Sequence, residues 1–171
     1  MEARLICTYK CKKDCSGCCN KDWQGPKPKE VTHFNYEMVM ITGGEPMLFP
    51  VQVLYLCAEI RGKSKAKIIL YTALSKVGES GLLLAQNYLD GMTLTLHQQE
   101  DVAPFLVLNR EFLPFKSTKL EGKLLRLNIF KGVILPEDTN LSLWKVKKEI
   151  EWIKNCPLPK GEELLRLKEL W

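Results

Sequence analysis

No apolar run in this sequence approaches the roughly 20 residues that cross a bilayer, so a membrane-spanning helix is excluded. No secretory leader opens it, and thiols crowded into a leaderless chain point to a reducing cytoplasm rather than to a disulfide framework. A second C-x2-C pair is missing: Cys57 and Cys156 stand alone. Acidic charge is in deficit, 20 carboxylates against 25 basic residues, for a net charge of +5. That excess permits an anionic substrate, a nucleotide, a nucleic acid or an acidic partner without singling one out; a solvated basic surface is the plainer account. At 171 residues the chain falls short of the roughly 250 of a complete eight-stranded α/β barrel, yet 46% hydrophobic content suffices for one packed domain over residues 1–171.

What the sequence has is cysteine in one place. In Tyr9–Asn20, YKCKKDCSGCCN, residues Cys11, Cys15 and Cys18 stand in C-x3-C-x2-C spacing directly after an apolar run. Three soft thiolates on so short a loop suit three irons of a [4Fe-4S] cube and leave the fourth iron open to a small molecule. A competing set is zinc on Cys15 and Cys18, completed by Cys7, Cys19 or His33. It leaves unexplained a second motif, Gly43-Gly44-Glu45-Pro46, where two glycines admit a ligand close to the backbone and a proline stiffens the exit.

The two motifs in this order, each at the end of an apolar strand-like run, resemble the radical S-adenosylmethionine (radical SAM) superfamily. The likeness covers the first half of the chain by motif and the rest by alternation of elements. It implies a [4Fe-4S] cluster on Cys11, Cys15 and Cys18, SAM as cosubstrate with its amino group on Gly43 to Pro46, and an external electron donor of flavodoxin or ferredoxin type. It also implies oxygen sensitivity. The reaction implied is reductive cleavage of SAM to a 5'-deoxyadenosyl radical that abstracts hydrogen from a small-molecule or protein substrate. The family commonly has an aromatic residue just before the third cysteine, near adenine; Gly17 stands there instead, so adenine packing falls to Trp23 or to Val133 and Ile134.

The remaining periodicity predicts an α/β fold, an incomplete TIM-like barrel of about five to six parallel strands with helices outside. Strands are expected at Arg4–Tyr9, Glu37–Thr42, Lys67–Thr72, Met92–His97 and Leu124–Phe130. Cys7 in the first strand and Cys57 in a helix read as core residues, and Cys19 as structural. Between the first two strands, residues 21–36 read as a loop without room for a full helix, with His33 as a loop residue. Helices are expected over Phe49–Arg61, stopped by Gly62, over Ser75–Leu89, over Val102–Arg110 capped by residues 98–101, over Leu143–Asn155, and over Glu162–Trp171 with Leu164, Leu167 and Trp171 on one stripe. That last stripe packs on the core or forms a lid. Gly132 to Pro136 follows the fifth strand too closely to be another parallel strand and reads as a loop.

Ligands collect at the carboxyl ends of parallel strands. Thr72, Thr95 and His97 therefore join the candidate cofactor contacts, His97 being either a hydrogen-bonded structural residue or a contact to the SAM ribose or the substrate. Arg126 and Asn128 share a face of the fifth strand, where Arg126 suits the SAM carboxylate and Asn128 the ribose. By size, the resemblance admits a glycyl-radical-enzyme activase or an enzyme like 7-carboxy-7-deazaguanine synthase. A non-enzymatic zinc or iron-sulfur binding module stands beside both.

Overall fold

The computed structural model describes residues 1–22, 25, 27–74 and 77–171, with the side chains of Lys21, Asp22 and Val77 left aside. Two compact units result: Met1–Leu70 together with Trp152–Trp171, and Tyr71–Glu151.

The first unit is built on β1, Glu2–Thr8, in which Ala3, Leu5, Ile6, Cys7 and Thr8 are all buried. Burial of consecutive residues means both faces are covered, as in the middle of a parallel sheet. One edge of β1 pairs with β3, Met38–Gly43, and the other with β8, Glu162–Arg166, so that Leu5 lies opposite both Ile41 and Leu165. A two-residue β2, Lys29–Glu30, extends β8, and β4, Lys67–Thr72, extends β3; the order is β2-β8-β1-β3-β4, with every pairing parallel. Helix α2, Pro50–Lys63, returns the chain from β3 to β4 and buries Val53, Leu56, Cys57 and Ile60, the spacing of one helical face. Between β1 and β3 the helical content among the described residues is the four-residue α1, Cys19–Asp22, so the first crossover is abbreviated as expected.

In the second unit β5, Gly91–Leu96, pairs in parallel with β6, Leu124–Phe130, and β6 with β7, Lys145–Ile150. Gly91 is required by close approach: a Cβ there would lie 2.1 Å from the Leu124 carbonyl oxygen. Helices α3, Val77–Ala85, and α4, Val102–Phe112, connect the strands. Asp101 closes a capping box on the 3-10 turn Gln99–Asp101 that leads into α4, accepting from the amides of His97 at 2.8 Å and Gln98 at 3.2 Å. Phe105 and Phe112 pack on Trp144, whose indole donates to Asn109 Oδ1 at 2.9 Å.

The class is α/β with parallel strands, as the sequence predicts, but the strands number eight among the described residues. Two segments expected as helices are strands. Val146 and Ile150 fit helical spacing, yet β6 has an open edge whose backbone groups need partners. Buried Trp144 anchors the chain beside that edge, so Val146 pairs with Leu127 and Ile150 with Phe130. Its lysines suit an exposed edge strand. Likewise β8 occupies the second edge of β1, fixed by the ion pairs Arg4–Glu162 and Lys29–Glu163. The expected stripe of Leu164, Leu167 and Trp171 is therefore not helical. Gly62 does not stop α2, which runs to Lys63. The helix expected from Ser75 begins at Val77 among the described residues, Ser75 itself lying outside them. Among the described residues no helix is long and apolar enough to cross a membrane.

Candidate functional site

β1 ends in buried Thr8, whose hydroxyl donates to the Trp171 carbonyl at 2.8 Å and accepts from the Lys10 amide at 3.1 Å. This braces the point where the cysteine loop leaves the sheet. Beyond it Cys11 is exposed, Cys15 and Cys18 are half-buried, and all three stand outside the disulfide. The Cys18 amide donates to the Cys15 carbonyl at 3.3 Å, folding Ser16 and Gly17 into a turn between the last two.

The other cysteines separate cleanly. Cys7 and Cys57 are fully buried. Cys7 donates to the Thr42 carbonyl, and burial, reinforced by Glu45 and Cys57, pushes its thiol far up, away from the thiolate a metal needs. Cys19 and Cys156 form a disulfide with Cα atoms 5.6 Å apart, tying the loop to the segment after Glu151. Cys156 is thus not isolated, and the expectation of uniformly reduced thiols is corrected at this pair. Cys19 is structural as expected, and with Cys7 it is lost to the zinc set. His33 stays a loop residue, its Nδ1 accepting from the Asn35 amide and its ring stacked on Tyr36.

The Gly43 to Pro46 turn folds against the root of the cysteine loop. The Gly44 amide donates to the Thr8 carbonyl at 2.6 Å and the Glu45 amide to the Lys10 carbonyl at 2.8 Å. Gly43 has φ +122°, a conformation side chains resist, and a Cβ on it would sit 2.3 Å from the Thr8 oxygen. A Cβ on Gly44 would sit 2.2 Å from the Lys10 oxygen. Two glycines are needed because two backbones meet. Glu45 is buried and its carboxylate accepts from the Met47 amide at 2.9 Å, capping the short 3-10 helix Pro46–Leu48. It holds the turn in shape.

Sequence reasoning missed Trp152. A Cβ built on Gly17 would fall 2.4 Å from Trp152 Cγ, so this indole fills the space where a side chain at position 17 would stand. The glycine departure and the aromatic that covers it belong together, but 134 intervening residues hid the pairing. Trp23 lies outside the described residues.

In the second unit Thr72 is buried and bonded within its own loop, accepting from the Leu74 amide at 3.0 Å. The register sets Thr93 opposite Arg126 and Thr95 opposite Asn128, so these four share one face, with the neighbouring Lys145 and Lys147 on β7. Both lysines fell in the expected helix and were missed. His97, just past β5, packs its ring on Phe130 with centroids 4.8 Å apart. Ile134 is 73% exposed in a loop, held by two bonds with the Gln99 side-chain amide at 2.9 Å each. The structure thus ties the root of the cysteine loop, Thr8 and Lys10, to the Gly43 to Pro46 turn in the first unit, and sets Thr95, Arg126 and Asn128 on one face in the second.

A cavity of about 370 Å³ lies elsewhere in the first unit, lined by Val31 to Phe34, Glu59, Lys63 and Leu167 to Glu169. His33 of the competing zinc set lines it, the candidate cluster and SAM contacts do not, and its charges are mixed. Among the described residues no three of His, Cys, Asp and Glu are gathered for a single metal ion. Three cysteines outside the disulfide on one loop are nevertheless the donor chemistry of an iron-sulfur cluster, in which each thiolate bonds a different iron. Compared with known proteins, the chain matches no family model, no curated protein and no solved structure.

Proposed function

We propose that this protein is a minimal radical SAM enzyme, in which Cys11, Cys15 and Cys18 hold a [4Fe-4S] cluster and the Gly43 to Pro46 turn receives SAM. The observation that carries the reading is the pair of backbone hydrogen bonds joining that turn to the cysteine loop, Gly44 to Thr8 and Glu45 to Lys10. Two motifs separated by 24 residues are thereby held as one platform.

Cys11, Cys15 and Cys18 would hold the cluster, whose chemistry would be one-electron cleavage of the SAM sulfonium into methionine and a 5'-deoxyadenosyl radical. The chain's own part is placement. Gly43 and Gly44 bare the backbone so that the amino group of SAM meets carbonyls rather than Cβ atoms. Glu45 is a positioning residue, fixing the turn through Met47. Trp152, lying over Gly17, provides the aromatic surface beside the third cysteine. Thr8 and Trp171 brace the loop so that three thiols can be presented together. Residues this close to a radical work by excluding water and aiming the reacting atoms. The electron comes from a flavodoxin- or ferredoxin-type donor, and the protein acts in the cytoplasm.

Anaerobic reconstitution with iron and sulfide tests this. The wild type takes up about four irons and four acid-labile sulfides per chain; Cys11→Ala, Cys15→Ala and Cys18→Ala each lose them, and Cys57→Ala keeps them. Zinc bound without iron or sulfide would overturn the reading.

A further inference from the structure

We infer that the face shared by β5, β6 and β7 is an oxyanion site for a small substrate bearing phosphate or several carboxylates. Three cations stand on it side by side: Arg126 paired with Lys145, and Lys147 beside Asn128. Arg126 is half-buried, and none of the three makes an ion pair or a side-chain hydrogen bond among the described residues. At the registered positions the three strands place Gly91, Thr93, Thr95, Leu124, Arg126, Asn128, Phe130, Lys145, Lys147 and Ile150 on this face, with Glu149 in the irregularity of β7 between the last two pairings.

Lysines alone would be the ordinary protection of an edge strand. That account covers Lys145 and Lys147 but not a half-buried guanidinium without a counter-ion. Nor does it cover Thr93, directly opposite Arg126, which is 2% exposed with its hydroxyl making no hydrogen bond. A buried hydroxyl and a sheltered guanidinium, each without a protein partner, both complement an oxyanion: the planar fork binds two oxygens, the hydroxyl donates to one, and the lysines add point charges. Three positive charges favour a dianion over a single carboxylate. At the carboxyl end of the same strands, the His97 and Phe130 rings offer an aromatic wall where ligands of parallel sheets collect.

As the substrate class of a radical enzyme this rests on the proposed function; the binding itself does not, and it is measured without iron or SAM. The full-length chain is titrated calorimetrically with inorganic phosphate, pyrophosphate and citrate at constant ionic strength. One of them binds at a single site, phosphates tighter than citrate marking a phosphorylated substrate and the reverse order a polycarboxylate. Arg126→Gln weakens it about tenfold or more. The double variant Lys145→Gln/Lys147→Gln, at exposed positions that leave folding intact, weakens it by a similar factor, whereas Lys119→Gln, outside the three strands and stacked on Phe115, changes nothing. Equal affinity in wild type and Arg126→Gln, equal weakening by Lys119→Gln, or no binding up to about 10 mM would overturn the site. Displacement of phosphate by methionine would assign Arg126 to the SAM carboxylate and overturn the substrate class.

Discussion

Gly44 is the residue on which the arrangement of the two motifs turns. A methyl group there would press on the Lys10 carbonyl at 2.2 Å, a backbone atom that cannot swing aside. Gly44→Ala is therefore expected to lower stability by about 1–3 kcal/mol and to abolish cluster uptake, read by urea unfolding and by iron content after reconstitution. An unchanged iron content would separate the turn from the loop. Asn109 offers a test away from the site. It is buried, accepts from the Trp144 indole and donates to the Asn140 carbonyl, both at 2.9 Å. Asn109→Ala leaves a buried donor and a carbonyl without partners, at a cost of about 1–3 kcal/mol in the same unfolding measurement; an effect below about 0.5 kcal/mol would mean that water substitutes.

At the scale of elements, long apolar strands were legible and edge strands were not. Lys67–Thr72 and Leu124–Phe130 have the bounds the sequence suggests, because continuous or alternating apolar residues admit one reading. In β7 and β8, Val146 with Ile150 and Leu164 with Leu167 fit either period. The decision comes from the open edges of β6 and β1, which no local pattern displays. β8 carries its own test. Tyr36 donates to Glu163 at 2.8 Å, and its hydroxyl is pushed up to about 12, by burial first and then by that bond. A raised acid is stabilised in its neutral form by folding. Stability is full below the ordinary value of 10, falls as pH rises toward 12, and loses this dependence in Tyr36→Phe. Urea unfolding at about pH 9 and about pH 12 checks the sign, and a slope that survives in Tyr36→Phe would contradict it. The Cys19–Cys156 bridge closes a span of 137 residues. Cys156→Ser is expected to cost about 2–4 kcal/mol, and a dithiol reductant should lower wild-type stability while leaving the variant unmoved. Insensitivity of the wild type would place the bridge outside the stable fold.

Over the whole molecule, the chemistry was more legible than its setting. The cysteine spacing and the Gly-Gly-Glu-Pro turn are local signals, and the backbone contact between them follows from parallel pairing of β1 with β3. Trp152 over Gly17, the disulfide to Cys156, and Lys145 and Lys147 beside Arg126 depend on contacts between distant parts of the chain, and spacing alone carries no trace of them. Radical chemistry at the cysteine loop is tested most directly by incubating the anaerobically reconstituted protein with SAM and dithionite and following 5'-deoxyadenosine. Its formation by the wild type and its loss in Cys15→Ala is the predicted result. Equal amounts from the two proteins, or none from a wild type carrying its full complement of iron and sulfide with a phosphate- or carboxylate-bearing substrate present, would contradict radical chemistry at this loop.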